Sequence, residues 1–221
     1  MGKNSLKSLA SDGVEVLFDQ ILNDGLVKDI PIINTVANVM ALGKSVRNTL
    51  FGRKLVKFLN SINSVSPNDY EKIKKFALSN ESEEVCEKIL NVIDSTSEIS
   101  KADIIANVFL GYIEGELSSK ELNTVLEVIE RSYTQDLNNL LTKRLMTRSR
   151  KDMRKLQSNG IANFVSTPII ERKDTHPITT RPSADLFKDN ETYQESYMIT
   201  RLGQRFRAAY KKGQRMREEH S

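Results

Sequence analysis

The sequence has few of the residues that usually build metal, redox or catalytic sites. Its 221 residues include one cysteine, two histidines and no tryptophan. A single cysteine, Cys86, excludes an internal disulfide framework and a cysteine-based zinc site, and it is consistent with a reducing compartment. The histidines, His176 and His220, stand in no metal-ligand spacing with Cys86. We therefore predict a cytoplasmic protein with no cofactor, no metal and no catalytic residues.

Other signatures of catalysis and of export are also missing. The chain has no phosphate-binding glycine motif, and its first residues form no hydrophobic signal region. Two groups of carboxylates, at 83–87 and 114–116, lie at positions predicted to face water, so a metal or catalytic role is not favoured. The sequence indicates a non-enzymatic protein whose function is binding.

No hydrophobic run is long enough to cross a membrane, which takes about 20 mostly apolar residues. The longest uncharged run, residues 30–43, contains polar side chains and is followed by several cations. Two interpretations stay open: a core helix of a helical domain, or an amphipathic helix lying on a membrane surface with its cations toward anionic lipid. The second interpretation assigns membrane contact to Ile32, Val36, Met40, Lys44 and Arg47.

Residues 26–62 carry the clearest packing pattern, and we predict that the fold is built around them. Asp29 can cap a helix whose first turn tolerates Pro31. The apolar seam slips near Gly52, which predicts either a kinked helix or two helices meeting there. From Phe51 onward, the seam residues Phe51, Leu55, Phe58, Leu59 and Ile62 are predicted to face the core, and Arg53, Lys54 and Lys57 the opposite side.

The chain continues as a series of shorter helical patterns with short connections. Helix starts are predicted at Ser66, Ser82, Ser100 and Thr134. Ser118 is followed three residues later by a glutamate, which is a capping-box signature. Successive helices joined by short loops are expected to pack antiparallel. The prediction is a mainly α fold, with an antiparallel helical bundle over residues 1–157.

After residue 158 the pattern changes from helical to extended. Apolar stretches near 160–170 and 193–200 predict the strands of a small C-terminal β-hairpin, separated by a long polar loop. Thr200 can cap a closing basic helix. We therefore predict an α+β appendage over residues 158–213 and a flexible tail at 214–221.

Charge is distributed unevenly along the chain. Residues 1–139 hold 15 Lys and Arg against 20 Asp and Glu, whereas residues 140–221 hold 18 against 9. Cations in the second part recur at helical spacing, which is typical either of a solvated helix face or of a face that meets a polyanion, an acidic protein or the acidic half of the same chain. We predict a nucleic-acid-binding site at Arg144, Arg148, Lys151, Lys155, Arg201, Arg205 and Arg207.

The partner is accordingly predicted to be nucleic acid or an anionic protein surface. The alternative is a peripheral membrane or protein-interaction effector that acts through the amphipathic residues 30–62, and a homo-oligomer is left open. The charge pattern by itself indicates no sequence specificity, because contacts to phosphates position a protein without reading bases.

Two segments resemble known proteins. Residues 155–206 resemble the end of a winged-helix domain: a basic helix ends in LQSNGI at 156–161, a hairpin follows, and YMITRLG at 197–203 begins the last helix. In winged-helix regulators such a hairpin is the wing. Here the preceding helical pattern is longer than an ordinary recognition helix, and the loop between the strands is oversized. Both features differ from winged-helix domains that read the major groove.

The other resemblance lies in the first part of the chain. KDIPI at 28–32 and LFGRKL at 50–55 are similar to uncharacterised helical proteins of bacteria and their mobile elements, some of them associated with phage defence. This resemblance implies a bacterial or phage setting in the cytoplasm. It carries over no catalytic residue.

Overall fold

The computed structural model of the chain describes residues 49–142, 160–169 and 192–218. Within these ranges the chain is mainly helical, as predicted, with seven helices and one pair of strands. The elements are α1 Thr49–Asn63, α2 Pro67–Ala77, α3 Ser82–Ser95, α4 Lys101–Ile113, α5 Ser119–Arg131, α6 Thr134–Thr142, β1 Ala162–Ile169, β2 Thr192–Ile199 and α7 Arg201–Glu218.

Helix α4 is the centre of the described bundle. Its apolar residues Ile105, Val108 and Phe109 are fully buried, and its polar residues Lys101 and Asn107 are only 3% exposed. Helices α1, α2, α3, α5 and α7 all pack against it. A helix that is buried on every side is stable only when protein surrounds it. The fold is predicted from sequence to be built around residues 26–62, but in the described part α4 takes that place and α1 is one of its neighbours.

Helix α1 continues through Gly52, so no helix end falls at that residue. The seam predicted from sequence is confirmed, because Leu55, Phe58, Leu59 and Ile62 are buried in the core and Phe51 packs against it. These side chains recur every three or four residues and therefore lie on one side of the helix. The first part of the predicted central stretch, residues 26–48, lies outside the described residues.

The prediction that Lys54 faces away from the core is wrong. Its side chain is 2% exposed, and its Nζ donates to the main-chain oxygens of Asp94 and Thr96, at 2.8 and 2.6 Å. The last carbonyls of a helix have no partner within the helix, so Lys54 caps the C-terminal end of α3 from a neighbouring helix. Lys101 does the same for α5, with its Nζ 3.0 Å from the main-chain oxygen of Glu130. Burial lowers the pKa of both amines.

Within the first five helices, the caps predicted at Ser66 and Ser118 are confirmed, whereas Ser82 begins its helix as predicted but does not cap it. The Oγ of Ser66 accepts from the main-chain nitrogen of Asp69 at 3.0 Å, and Ser118 and Glu121 form the predicted capping box. Ser82 is not a cap. Its Oγ donates to two main-chain oxygens of the preceding turn, at 3.1 and 2.8 Å, because the connection from α2 to α3 is short and brings those oxygens within reach.

Helix α7 packs against α4 so closely that their backbones touch. A Cβ on Gly213 would overlap the main chain of Asn107, and a Cβ on Gly111 would overlap the main chain of Ala209. Glycine permits this approach because it has no side chain to separate the two backbones. The core also includes Phe206, Tyr210 and Met216 of α7.

The position of α7 bears on the predicted domain division. Its residues share the core of the bundle, although the sequence assigns them to a separate appendage. The helix ends at Glu218 and Met216 is buried, so residues 214–218 belong to α7 and not to a tail. The boundary predicted at 157 falls outside the described residues and stays a prediction.

Strands β1 and β2 lie beside the start of α7. They pair antiparallel in a two-stranded sheet, from Ala162 opposite Ile199 to Ile169 opposite Thr192. Thr200 follows β2, and its main-chain nitrogen donates to the oxygen of Ile161 at 2.9 Å. As predicted, Thr200 caps α7, because its Oγ1 accepts from the nitrogen of Gly203 at 3.2 Å.

The close approach of α4 and α7 predicts that Gly213→Ala is destabilising. Alanine is the better helix former by about 1 kcal/mol, so an unhindered site would become more stable. At Gly213 the added methyl must push two backbones apart, and we expect a loss of about 1–3 kcal/mol in the free energy of unfolding. Urea denaturation measures this change. The exposed α7 variant Gln204→Ala is the control, and a stabilised Gly213→Ala would contradict the close contact.

The buried position of Lys54 predicts that Lys54→Met costs about 1–3 kcal/mol of unfolding free energy, because two buried carbonyls lose their donor. Methionine keeps the apolar stem, so the change isolates the amine. Arg53→Met, on the exposed side of the same helix, should change stability by less than about 0.5 kcal/mol. Unchanged or greater stability of Lys54→Met in urea would show that desolvating the amine costs more than its two hydrogen bonds contribute.

Candidate functional site

Three of the seven residues predicted to bind nucleic acid are placed by the structure, and all three lie on α7. These are Arg201, Arg205 and Arg207. The predicted stripe of Arg144, Arg148, Lys151 and Lys155 lies outside the described residues. The predicted membrane-contact residues Ile32, Val36, Met40, Lys44 and Arg47 also lie outside them.

Six of the seven cations of α7 fall into two groups with different surroundings, and the seventh, Arg207, is half-buried between them. The inner cations, Arg205, Lys212 and Arg217, contact acidic or polar groups of the bundle. The outer cations, Arg201, Lys211 and Arg215, are exposed. Within the described ranges no carboxylate forms an ion pair with an outer cation. Because an α-helix has 3.6 residues per turn, positions 201, 211 and 215 lie on the side of α7 opposite its buried face.

Arg205 is held by the turn between α4 and α5. Its Nε donates to the main-chain oxygen of Glu116 at 2.9 Å, and its guanidinium lies 3.3 Å from the carboxylate of Glu121. The sequence places Arg205 in the predicted binding site, but much of its hydrogen-bonding capacity is used within the chain. Arg217 is held in a similar way, because its Nη1 donates to Oδ1 of Asn107 at 3.0 Å.

Lys212 belongs to a cluster around Glu114, at the C-terminal end of α4. The carboxylate of Glu114 lies 2.5 Å from Nζ of Lys72 and 3.2 Å from Nζ of Lys212. Burial raises the pKa of Glu114, but the hydrogen bonds from the two lysines outweigh burial and hold the pKa below its ordinary value of 4.5. Lys72 also pairs with Asp69 at 2.9 Å. The cluster therefore joins α2, α4 and α7.

A basic cleft of about 530 Å³ runs along the outer side of α7. Cavities of roughly 300–1,000 Å³ commonly bind small molecules, so the size of this one suits part of a ligand. Arg207, Lys211 and Arg215 follow one another in steps of four residues, each a rise of about 6 Å, and so they form a row along one side of the helix. The cleft is lined by Glu116, Gln204, Arg207, Ala208, Lys211, Lys212 and Arg215.

The predicted site set leaves out Lys211 and Arg215, although both line this cleft. The signal that could have found them is the four-residue spacing from Arg207, which is the same kind of spacing that marked the predicted stripe before residue 156. No spacing in the sequence distinguishes Arg205, which the bundle holds, from Arg201, which is exposed. The position of the turn between α4 and α5 decides which of the two forms contacts within the chain.

A second cleft, of about 590 Å³, lies where the end of α2 meets the start of α5. The hydroxyl of Tyr112 lies 3.1 Å from Oγ of Ser119, which donates to a carboxylate oxygen of Glu81. Burial raises the pKa of Tyr112 to about 12. The phenol is therefore neutral at physiological pH and acts in a hydrogen-bonded chain instead of as a base.

Neither a metal centre nor a membrane span is found among the residues that the structure describes. No group of His, Cys, Asp and Glu side chains there is arranged to hold a metal ion. No helix in the described ranges is both long and apolar enough to cross a membrane. Cys86 is a free thiol buried in the core.

No known protein family matches the sequence, and comparison with curated proteins and with solved structures finds no significant similarity. The resemblances to winged-helix domains and to mobile-element proteins therefore stay predictions. The function has to be inferred from the chemistry of the site, which is dominated by the cations of α7.

The Glu114 cluster predicts a specific contribution to acid unfolding. Because the pKa of Glu114 is lower in the folded state than its ordinary 4.5, the unfolded chain takes up its proton more readily. The stabilisation is present above pH 4.5 and is lost as pH falls through the folded-state pKa.

Glu114→Gln should consequently weaken the dependence of unfolding free energy on pH below 4.5, since that carboxylate no longer titrates. Urea denaturation at a series of pH values measures the slope. Glu87→Gln, at an exposed position of α3, is the matched control. An equal change of slope in both variants would show that general charge, and not the cluster, is responsible.

Proposed function

We propose that the protein is a non-enzymatic binding protein that contacts nucleic acid through the outer cations of α7 and the basic cleft beside them. The observation that carries this proposal is the exposure of Arg201, Lys211 and Arg215 on the side of α7 turned away from the core. The inner cations hold the helix in place. The outer cations have no such use within the described residues.

The extent of the outer face favours a linear polyanion over a single small anion. From Arg201 to Arg215 the helix rises about 21 Å. Along duplex DNA each strand carries one phosphate per 3.4 Å or so of axis, so a face of this length can meet several phosphates at once. Contacts of this kind give affinity that depends on salt and little dependence on sequence.

The winged-helix likeness belongs to this proposal. The paired strands β1 and β2 lead through Thr200 directly into α7, so a wing-like element would stand at the end of the outer face where Arg201 lies. Helix α7 itself would follow the phosphate backbone, because its outer face carries arginine and lysine and its opposite side is packed in the core.

Several predictions from sequence remain part of the proposal. The stripe at 144–155 would extend the basic face. The bacterial and phage-defence setting follows from the resemblance alone, and the cytoplasmic location also from the single cysteine. Peripheral membrane contact through residues 30–62 is the alternative function. It would use a different surface, so the two functions respond to different substitutions.

Replacing Arg201, Lys211 and Arg215 together by Ala should weaken nucleic-acid binding and reduce its salt dependence. Three lost phosphate contacts should lower the slope of log K against log salt by roughly two to three units for duplex DNA. Fluorescence anisotropy with labelled DNA and RNA over a salt series measures the slope. Replacing Lys75, Lys120 and Arg131 by Ala removes the same charge from exposed positions on other helices and is the matched control.

Two results would overturn the proposal: no binding by the wild type at about 50 mM salt, where such contacts are strong, or equal losses in the two triple variants. A separate variant, with Arg144, Arg148, Lys151 and Lys155 changed to Ala, tests the predicted stripe. If the stripe belongs to the same face, this variant should flatten the slope by roughly three to four units.

A further inference from the structure

The basic cleft contains one carboxylate among its cations, that of Glu116. The backbone of Glu116 is fixed, since its nitrogen donates to the main-chain oxygen of Gly111 at 3.0 Å and its own oxygen accepts from Arg205. The side chain is half-buried. Within the described ranges, its carboxylate has neither a hydrogen-bond donor nor an ion-pair partner.

A carboxylate in this position opposes the binding of phosphate alone. Its negative charge repels phosphate oxygens that the neighbouring cations attract, so the cleft would bind a plain phosphate chain more tightly without it. An ionised carboxylate can only accept hydrogen bonds. The cleft as a whole therefore suits a ligand that presents phosphates to Arg207, Lys211 and Arg215 and a hydroxyl donor to Glu116.

Ribose provides such a donor next to each phosphate. Its 2′-hydroxyl can donate a hydrogen bond, and deoxyribose has no group at this position. RNA would satisfy both the cations and the carboxylate of the cleft. DNA would place its phosphates beside the cations, but it has no hydroxyl to donate a hydrogen bond to the carboxylate.

We propose that Glu116 makes the basic cleft select RNA over DNA by accepting a hydrogen bond from a ribose 2′-hydroxyl. This inference rests on the proposed function, because the outer cations must first hold the phosphate backbone against α7. Glu116 is then the residue that determines specificity, whereas the cations provide affinity.

A purely structural role for Glu116 leads to a different expectation. It lies just before the N-terminus of α5, where a negative charge interacts favourably with the helix dipole. Removing that charge would lower stability and change the affinities for RNA and DNA by the same factor. Selection of ribose instead changes the ratio of the two affinities.

The test compares single-stranded RNA, DNA and 2′-O-methyl RNA of one sequence and length, bound to the full chain at constant salt. We expect the wild type to bind RNA about tenfold more tightly than DNA, the effect of one hydrogen bond to a charged group. The 2′-O-methyl RNA keeps the ribose oxygen and loses the donor, so its affinity should fall close to that of DNA. This comparison needs no variant and stands even if a substitution impairs folding.

Glu116→Ala should bring the RNA and DNA affinities within about twofold of each other, because the acceptor of the discriminating hydrogen bond is gone. Glu127→Ala removes a carboxylate of α5 that lies outside the cleft. This control should keep the wild-type ratio of RNA affinity to DNA affinity. Anisotropy titrations give both ratios.

The outcomes separate the two proposals. If the wild type binds neither nucleic acid, the proposed function fails and the inference fails with it. If the wild type binds RNA and DNA equally, the polyanion-binding function stands and ribose selection is overturned. Selection that survives in Glu116→Ala would likewise overturn the role of Glu116.

Discussion

The contact between the backbones of α4 and α7 determines how the rest of this structure is arranged. Where Gly111 meets Ala209 and Gly213 meets Asn107, no side chain separates the two helices. Such a contact fixes both the distance between the helices and the rotation of α7 about its axis. The apolar residues of α7 then turn inward, Arg205 and Lys212 reach the acidic residues at and after the end of α4, and Arg217 reaches Asn107. The outer cations point away from the bundle.

Positive charge serves three different purposes in the described residues. Lys54 and Lys101 are buried and cap the ends of other helices, a use that depends on main-chain carbonyls and not on carboxylates. The inner cations of α7 pair with acidic residues of the bundle, and the outer cations face solvent. The excess of cations in residues 140–221 therefore overstates the charge that α7 can offer to a polyanion.

A binding face on a helix that is anchored in the core has a physical advantage. Ordering a flexible segment on binding costs conformational entropy, and a helix already held by its buried side pays little of that cost. In the proposed function, α7 offers its partner such a preformed row of cations, with the strand pair at one end and Glu116 in the cleft. The cations would supply affinity over several phosphates, while the single carboxylate would distinguish one sugar from the other.

Local features of this protein could be predicted from its sequence. The capping box of Ser118 and Glu121, the cap at Ser66 and the apolar seam of α1 depend on residues three or four positions apart, so spacing alone indicates them. The burial of Lys54 could not be predicted, because its partners lie 40 and 42 residues away and meet it only in the folded chain. The division of the α7 cations was decided in the same way. Helical spacing shows that they share a helix, but only the packing of α7 on α4 determines which of them face acidic residues and which face solvent.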